Sequence, residues 1–275
     1  MTDKPSKALI TTSAPIISNM EVMPGAHLIR LESPPLAATA RPGQFVMVRC
    51  GQDTYLRRPL SIHRVEENQI ALLFTIAGRG TSWLAERKTG EALDIFGPLG
   101  NGFAVHPHSK NLLLIAGGIG IAPLRLLADA ATAQGLKVTI LLGATSAVHL
   151  LPIIPLPRAA NARATLPFSI NVVNATDDGS EGFKGLVTDL IPAYIDEGDQ
   201  IFACGPLPMY KTMATLSQHH PKLKSAQVSL EIVMGCGIGV CYGCTIRIKG
   251  GLKQVCKDGP VFELGDITWK EIRGV

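Results

Sequence analysis

The sequence has neither an apolar run long enough to cross a membrane nor a block of basic residues. A membrane-spanning helix needs roughly 18 to 20 apolar residues in succession. The best candidate, Leu112–Leu124, is shorter, contains three glycines and is followed by Arg125. The formal net charge of +4 is spread thinly along the chain, which gives nucleic acid binding little support. Neither a membrane nor a nucleic acid is therefore an expected partner.

The first residues also lack the apolar core of a secretory signal peptide, so a cytoplasmic location is expected. Aromatic residues are scarce at 5%, but hydrophobic residues make up 46% of the 275 residues, enough for ordinary buried cores. The 28 glycines and 19 prolines indicate many turns between short elements. This length suits two compact domains plus a small appendage.

Residues 8–106 are predicted to form a small antiparallel β-barrel. Only Ser82–Lys88 looks helical in this part, with Thr81 or Ser82 available as its N-cap. The clearest strands, separated by glycine and proline, are His27–Glu32, Gln44–Arg49, Arg57–His63, Ile70–Ile76 and Leu93–Phe96.

Residues 107–225 alternate between strands and helices, which predicts a doubly wound parallel sheet. The apolar strand Leu112–Ala116 leads through a glycine-rich turn into a helix that Pro123 begins and Gly135 ends. Later elements are the strands Val138–Leu142, Ile170–Asn174 and Ile201–Ala203 and the helix Met209–Gln218. The proline-rich stretch 150–168 is expected to be an irregular connection. Residues 226–275, with short strands, glycines and cysteines, form a third, small domain.

Four of the six cysteines lie within residues 236–256, and their spacing is the most specific motif in the chain. Cys236, Cys241, Cys244 and Cys256 follow the pattern C-x4-C-x2-C with a distant fourth cysteine, which is typical of plant-type [2Fe-2S] ligation. Neighbouring glycines permit close approach of the backbone and leave amide groups free to point at sulfur. A four-cysteine zinc site is the alternative, but it normally uses two C-x2-C pairs and this chain has one.

Two turns predict a nucleotide site. Gly117–Pro123 places Gly118 and Gly120 between a strand and a helix, where backbone amides and the helix dipole favour a pyrophosphate. Cys204-Gly205-Pro206 follows another strand, and ligands of doubly wound sheets bind at the carboxyl ends of strands. A tight turn without a ligand, and a buried structural role for Cys204, remain alternatives.

The barrel half contains a weaker candidate for phosphate binding. Arg57-Arg58-Pro59-Leu60-Ser61 sets two arginines and a hydroxyl on one strand, and arginine can pair with a phosphate through two hydrogen bonds. Gly78-Arg79-Gly80-Thr81 precedes the predicted helix, whose first turn could bind an anion. Solvated surface arginines are the simpler alternative.

The chain resembles the ferredoxin reductase-like flavoproteins in five motifs that occur in the family's order. They are Pro42-Gly43-Gln44-Phe45, Arg58-Pro59-Leu60-Ser61, Gly97-Pro98-Leu99-Gly100, Gly117–Pro123 and Cys204-Gly205-Pro206. Leu60 stands where the family usually has tyrosine, so aromatic stacking on the flavin is lost there. Within this superfamily, residues from about 15 to 265 resemble electron-transfer subunits of NAD-dependent (class 1B) dihydroorotate dehydrogenases, except in 150–168. The motifs that carry this closer resemblance are Thr176–Ser180, Gly185–Thr188, Glu231-x-x-Met234-x-Cys236 and Val255–Phe262.

The resemblance implies three cofactors, FAD, a [2Fe-2S] cluster and NAD, and no catalytic acid or base of the chain's own. The implied FAD site comprises Arg58, Pro59, Leu60, Ser61, Thr75, Ile76, Gly80 and Thr81. The implied NAD site comprises Gly118, Gly120, Cys204, Gly205 and Pro206. The implied cluster ligands are Cys236, Cys241, Cys244 and Cys256.

The resemblance also implies a partner, an FMN-containing catalytic subunit that oxidises dihydroorotate to orotate, in a heterotetramer with two copies of each chain. Electrons would pass from that FMN through the cluster to FAD and leave as hydride to NAD+. Three alternatives stay open: an NAD(P)H–ferredoxin or sulfhydrogenase-type electron-transfer subunit, a stand-alone reductase that feeds an oxygenase, and a zinc-containing nucleotide-binding regulator. Because Gly143–Ser146, after the second parallel strand, contains no arginine, NAD(H) is expected to be preferred over NADP(H).

Overall fold

The computed structural model describes residues 9–52, 54–152 and 170–272. Most of the predicted connection 150–168 lies outside these residues. The strands are β1 (Ile10–Met23), β2 (Ala26–Glu32), β3 (Phe45–Val48), β4 (Arg58–Glu66), β5 (Gln69–Thr75), β6 (Ala92–Leu99), β7 (Asn111–Gly117), β8 (Lys137–Ala144), β9 (Ile170–Thr176), β10 (Phe183–Lys184), β11 (Gln200–Cys204), β12 (Gln227–Ser229), β13 (Thr245–Ile248), β14 (Gly251–Gln254) and β15 (Val261–Glu263).

Helices cover less of the described chain than strands do. The α-helices are α1 (Pro34–Thr39), α2 (Arg79–Ala85), α3 (Ile121–Ala133), α4 (Ile191–Tyr194), α5 (Leu207–Leu216) and α6 (Val255–Asp258). Short 3-10 helices comprise Gly118–Gly120, Ala147–His149, Val187–Leu190, Pro221–Ser225 and Leu264–Asp266.

Strands β1 to β6 close into a barrel in the order β1-β2-β5-β4-β3-β6, and the predicted antiparallel barrel is confirmed. Its interior is apolar: Ile16, Ile29 and Ile62 are at most 1% exposed. The sequence prediction missed β1, because Pro15 and the polar residues around it interrupt the alternation that identifies a strand.

The prediction of a single helix in this half, at Ser82–Lys88, is wrong. Helix α1 was overlooked, although it begins with two prolines, whose fixed φ suits a first helical turn. Helix α2 lies three residues earlier than predicted, with Gly78 at its N-cap. Thr81 lies inside the first turn, and its Oγ1 accepts hydrogen bonds from the Ala77 and Gly78 backbone N–H groups at 2.8 and 3.2 Å.

The second sheet has the order β10-β9-β8-β7-β11-β12-β15, and only the β12–β15 pair is antiparallel. This confirms the doubly wound parallel sheet. After β7 the chain adds β8 and β9 on one side and then returns to place β11 on the other. The carboxyl ends of β7 and β11 therefore border the topological switch point, where ligands bind in such sheets.

Strands β12 and β15 join the second sheet, while β13 and β14 form a separate hairpin. One apolar core extends from the barrel residues Met47 and Leu99 to Met234, Cys244 and Cys256 near the C-terminus. This shared core fixes the three parts relative to one another. We propose domain limits of 8–106, 107–225 and 226–275. The last of these domains contributes β12 and β15 to the sheet of the second domain. No helix among the described residues is long and apolar enough to span a membrane.

Candidate functional site

The segment between β12 and β13 forms a tight loop that carries three of the four clustered cysteines. Gly237 and Gly239 adopt positive φ angles of 73° and 82°, and Tyr242 has a φ of 59°. Left-handed backbone of this kind lets a short loop curl around a central group, and glycine adopts it without a steric cost. The fourth cysteine, Cys256, lies in α6 next to this loop.

Each of the four sulfur atoms accepts at least one hydrogen bond from a backbone N–H group. The donors are Val240 and Cys241 to Cys236 (3.3 and 3.4 Å), Gly243 to Cys241 (3.5 Å), Cys256 to Cys244 (3.4 Å) and Gly239 to Cys256 (3.1 Å). Such contacts stabilise negative charge on sulfur and adjust the reduction potential of an iron–sulfur group. The structure therefore shows the amide arrangement that the glycine-rich spacing predicted.

Two of the four clustered thiols, Cys236 and Cys256, have shifted pKa values. Burial opposes ionisation of Cys236, but amide groups of Cys241, Ile238 and Val240 outweigh it and lower its pKa to about 6. Burial, followed by the adjacent Cys244, raises the pKa of Cys256 to about 12. Four thiolates packed this closely would repel one another, so they need positive charge between them, which two iron ions supply.

The donor set of four cysteines fits a [2Fe-2S] cluster, which takes two thiolates on each iron. A four-cysteine zinc site would instead bring all four sulfur atoms around one point. Among the residues that the structure describes, no three His, Cys, Asp or Glu side chains are gathered as ligands of one metal ion. The support for the cluster is the C-x4-C-x2-C spacing together with the amide hydrogen bonds to sulfur.

The cysteine loop packs directly against the barrel. A Cβ atom on Gly237 would lie 2.7 Å from Met47 Cγ, and Met47 pairs with Pro59 across β3 and β4. A second contact lies beside it, because Asn101 Nδ2 donates hydrogen bonds to the carbonyl oxygens of Lys257 and Asp258 at 3.2 and 3.0 Å. The loop is thus one strand away from the residues predicted to hold the flavin.

A cavity of about 420 Å³ opens at the switch point of the second sheet. Its lining includes Gly118, Gly120, Gly205 and Pro206, four of the five residues predicted for NAD. The two turns meet there closely: a Cβ atom on Gly117 would lie 2.8 Å from Pro206 Cδ, and one on Gly120 would overlap the Cys204 carbonyl group. Only glycine allows the two turns this close approach, which leaves room for a nucleotide beside them.

Asp177 and Glu231 are the charged residues in the lining of this cavity, and both are acidic. Burial raises the pKa of the Glu231 carboxyl group. Thr188 also lines the cavity, and its buried Oγ1 has no hydrogen-bond partner among the described residues. Glu231 and Thr188 belong to motifs that carry the family resemblance, but neither was predicted to lie at the site. Their nearness to it depends on the fold, since Glu231 follows β12 and Thr188 follows β10.

Cys204, the fifth residue predicted for NAD, is buried immediately before the turn that lines the cavity. Burial, with a further contribution from Glu231, raises its pKa to about 12, so the thiol stays protonated. Tyr210 supports the same turn: its hydroxyl accepts a hydrogen bond from Gly205 N–H at 3.0 Å and donates one to the Ser229 carbonyl oxygen at 2.6 Å. Sequence reasoning did not single out Tyr210.

The residues predicted for FAD come together where β4 begins and β5 leads into α2. A Cβ atom on Gly80 would lie 2.8 Å from Arg58 Nε, so the glycine leaves space for the guanidinium group. Arg58 Nη1 donates to the Leu56 carbonyl oxygen at 2.6 Å, which orients the arginine. Ser61 continues β4, while Thr75 and Ile76 are exposed at the end of β5. The Arg58 guanidinium group is thus a charged group that the structure places beside Gly80 in this turn.

Known proteins share both the C-terminal and the nucleotide-binding parts of the chain. The family described as "Iron-sulfur cluster binding domain of dihydroorotate dehydrogenase B" matches residues 231–268, and "Oxidoreductase NAD-binding domain" matches residues 114–215. A solved structure described as "Insights into flavin-based electron bifurcation via the NADH-dependent reduced ferredoxin-NADP oxidoreductase structure" aligns with a TM-score of 0.80 and 29% identity. It covers 95% of this chain and 92% of that one. These matches support FAD, [2Fe-2S] and NAD as the cofactors.

Curated relatives cover nearly the whole chain. The protein named "Dihydroorotate dehydrogenase B (NAD(+)), electron transfer subunit" in Desulforamulus reducens is 36% identical over 94% of this chain and 98% of its own length. The protein of the same name in Caldanaerobacter subterraneus subsp. tengcongensis is 40% identical over 80% of this chain and 84% of its own. With this identity over this length, the chain belongs to the family of electron-transfer subunits of NAD-dependent dihydroorotate dehydrogenase B.

Proposed function

We propose that this chain carries electrons between NAD(H) and the FMN of a dihydroorotate dehydrogenase catalytic subunit, through FAD and a [2Fe-2S] cluster, in pyrimidine synthesis. The observation that carries the proposal is the cysteine loop. The sulfur atoms of its three cysteines and of Cys256 in α6 all accept amide hydrogen bonds, and Gly237 packs against Met47, beside the flavin strand β4. The names of the relatives supply the identity of the partner.

Three groups of residues would hold the cofactors. The thiolates of Cys236, Cys241, Cys244 and Cys256 would ligate the irons. Arg58, with Gly80 and Thr81, would hold the FAD phosphates, and Pro59, Leu60, Ser61, Thr75 and Ile76 would surround the rest of the flavin. Gly118, Gly120, Gly205 and Pro206 would form the floor of the NAD site, with Cys204 behind it.

The protein's contribution is order and orientation, since the redox chemistry belongs to the cofactors. When bound, a flavin exchanges hydride with a nicotinamide and single electrons with an iron–sulfur cluster. The chain places the nucleotide cavity against the carboxyl end of its sheet and the cysteine loop against the barrel. Burial keeps the Cys204 thiol protonated, so behind the cavity floor it serves as a neutral packing residue and not as a nucleophile.

The partner would dock on the face that carries the cysteine loop. Val240 and Tyr242 in that loop are both 70% exposed, and Val233 before it is 64% exposed. Large apolar side chains exposed in and just before one loop are typical of an interaction surface. Lys249 and Lys257, which flank the cluster ligands in the sequence, are exposed and would attract an acidic patch on the partner.

We propose that the complex is a cytoplasmic heterotetramer with two copies of each chain.

Anaerobic reconstitution with the catalytic subunit tests this function. We expect dihydroorotate-dependent reduction of NAD+ only when both chains are present, with FAD and two irons bound to this one. The ferredoxin-type alternative is supported by the similarity to the NADH-dependent reduced ferredoxin-NADP oxidoreductase structure, at a TM-score of 0.80. A parallel reaction should therefore contain ferredoxin as the electron acceptor. Rapid reduction of ferredoxin by NADH, with no response to dihydroorotate, would select that alternative.

A further inference from the structure

A β-bulge in strand β4 joins the flavin half of the molecule to the nucleotide half. Ile62 lies opposite Leu72 and Arg64 lies opposite Ala71, so His63 is an extra residue in the β4–β5 pairing. Leu60 and Ile62 before the bulge and Val65 after it belong to the barrel core. Because a bulge shifts the alternation of side chains by one residue, His63 and Arg64 both turn out of the barrel.

Both of these side chains reach the same helix, α3, two turns apart. His63 Nδ1 lies 3.1 Å from the Ala122 carbonyl oxygen, and Arg64 Nε lies 2.8 Å from Asp129 Oδ2. Positions 122 and 129 are seven residues apart and so share one face of the helix. Arg125, on that face, binds the other carboxylate oxygen of Asp129 at 3.0 Å.

The hydrogen bond of His63 has a defined direction and lies in a dry environment. A carbonyl oxygen can only accept, so Nδ1 carries the proton and donates it. His63 is 4% exposed. Burial, aided by Arg125, Arg64 and Arg30, lowers the pKa of His63 to about 3. The imidazole is therefore neutral and holds this tautomer throughout the physiological range.

This hydrogen bond joins the proposed flavin site to the nucleotide cavity, because each of its two residues is near one of them in the chain. His63 is two residues beyond Ser61 on the flavin strand. Ala122 is in the first turn of α3, two residues beyond Gly120, which lines the nucleotide cavity. From this geometry, and on the basis of the function proposed above, we infer that His63 is a positioning residue for hydride transfer. It fixes the distance between the bound nicotinamide and the flavin by holding the nucleotide turn to strand β4.

The expected effect is on rate more than on binding. Hydride transfer requires reacting atoms about 3 to 3.5 Å apart, and a misplacement of about 1 Å can lower a rate by about a hundredfold. His63 is not one of the residues that line the cavity, and it is not part of the phosphate cradle at Arg58 and Gly80. Its loss should therefore leave FAD content and NADH affinity nearly intact while the limiting rate falls.

The test compares His63→Leu and His63→Asn with the unmodified protein, and uses His27→Leu as the control. His27 is a barrel histidine on β2 that stacks on Phe74, and the hydrogen bond to the Ala122 carbonyl oxygen comes from His63. Anaerobic stopped-flow measures how fast NADH bleaches the flavin absorbance. We expect His63→Leu to lower the limiting rate at least about tenfold with little change in half-saturating NADH. The Asn amide can replace Nδ1–H, so His63→Asn should recover most of the rate.

Hydrogen exchange of the peptide 117–127 gives a readout that does not depend on turnover. We expect faster exchange in His63→Leu and restored protection in His63→Asn. If His63→Leu does not retain FAD, His63→Gln takes its place in the comparison. The glutamine amide lies one methylene group farther from the backbone than the Nδ1 atom of histidine, so this variant should also have a low limiting rate. If the leucine variant keeps its limiting rate, or if the asparagine variant is as slow as the leucine one, the inference is wrong. Failure of NADH to bleach the flavin of the unmodified protein would instead contradict the proposed function.

Discussion

Gly237 of the cysteine loop lies directly against Met47 of the barrel, with 2.7 Å between the position of a Cβ atom on the glycine and Met47 Cγ. Met47 is completely buried and pairs with Pro59 of the flavin strand. This contact connects the cluster half of the proposed relay to the flavin half. It exists because position 237 has no side chain and adopts a φ of 73°.

The substitution Gly237→Ala should therefore disturb the seat of the cluster. A left-handed residue other than glycine costs about 1 to 2 kcal/mol, and the new methyl group must also displace Met47. We expect lower iron and acid-labile sulfide content with FAD content unchanged. Gly250→Ala is the matched control, because the nearest atom to its Cβ would be Ile248 Cδ1 at 3.9 Å. Equal iron content in the two variants would show that the contact does not position the loop.

The nucleotide cavity should discriminate against a 2′-phosphate. Its charged lining residues, Asp177 and Glu231, are both acidic, and repulsion between like charges about 4 Å apart is worth about 1 kcal/mol even in water. We expect kcat/KM for NADPH to be well below that for NADH, and Asp177→Asn to raise the NADPH value about fivefold. Asp178→Asn is the control for net charge, since Asp178 binds Ser180. If both substitutions act equally, direct contact with Asp177 is not the cause.

Sequence patterns identified those parts of the molecule whose signals are local. The spacing of Cys236, Cys241, Cys244 and Cys256 lies in one stretch of chain, and the glycines of both nucleotide turns follow apolar strands. Strand β1 could not be predicted, because Pro15 and its polar neighbours hide the alternation. The start of α2 was misplaced, because Thr81 or Ser82 was expected as its N-cap, whereas Thr81 lies inside the first turn and accepts hydrogen bonds there.

Contacts between distant segments were beyond the reach of sequence reasoning. The bulge at His63 depends on how β4 pairs with β5, and its partner Ala122 is 59 residues away. Tyr210 supports the turn at Gly205 only because β12 brings Ser229 beside it. Tertiary pairing of this kind has no local sequence signal, and it places the side chains that support the site.

The two hydrogen bonds of Tyr210 lead to a prediction about nucleotide binding. Tyr210→Phe keeps the ring stacked on Trp269, whose centroid is 5.2 Å away, but leaves the buried Gly205 N–H group without an acceptor. An unsatisfied buried group costs about 1 to 3 kcal/mol. We expect a lower melting temperature and a KM for NADH several times higher, measured by steady-state dye reduction. A KM equal to that of the unmodified protein would mean that the turn holds its shape without the hydroxyl.

The buried His63 should make stability depend on pH. Its folded pKa is about 3, whereas an unfolded histidine titrates near 6.5, so between these values the unfolded chain binds more protons. The stabilisation is complete above about pH 6.5 and declines as the pH falls toward 3, by at most about 1.4 kcal/mol per pH unit. We expect the melting temperature to fall more steeply between pH 7.5 and 5 than in His63→Asn, which does not titrate. Parallel curves would show that the histidine is not kept neutral by the fold.

The relay order is tested most directly by one substitution in the reconstituted complex, Cys256→Ser. The sulfur of Cys256 is lost while the FAD cradle at Arg58 and Gly80, in another domain, is untouched. We expect little or no cluster, full FAD, and normal reduction by NADH of a dye that accepts hydride from the flavin. Dihydroorotate-dependent NAD+ reduction should collapse by at least about a hundredfold, because losing an obligatory carrier leaves no other one-electron route. Coupled activity that survives with the cluster verifiably absent would contradict the relay.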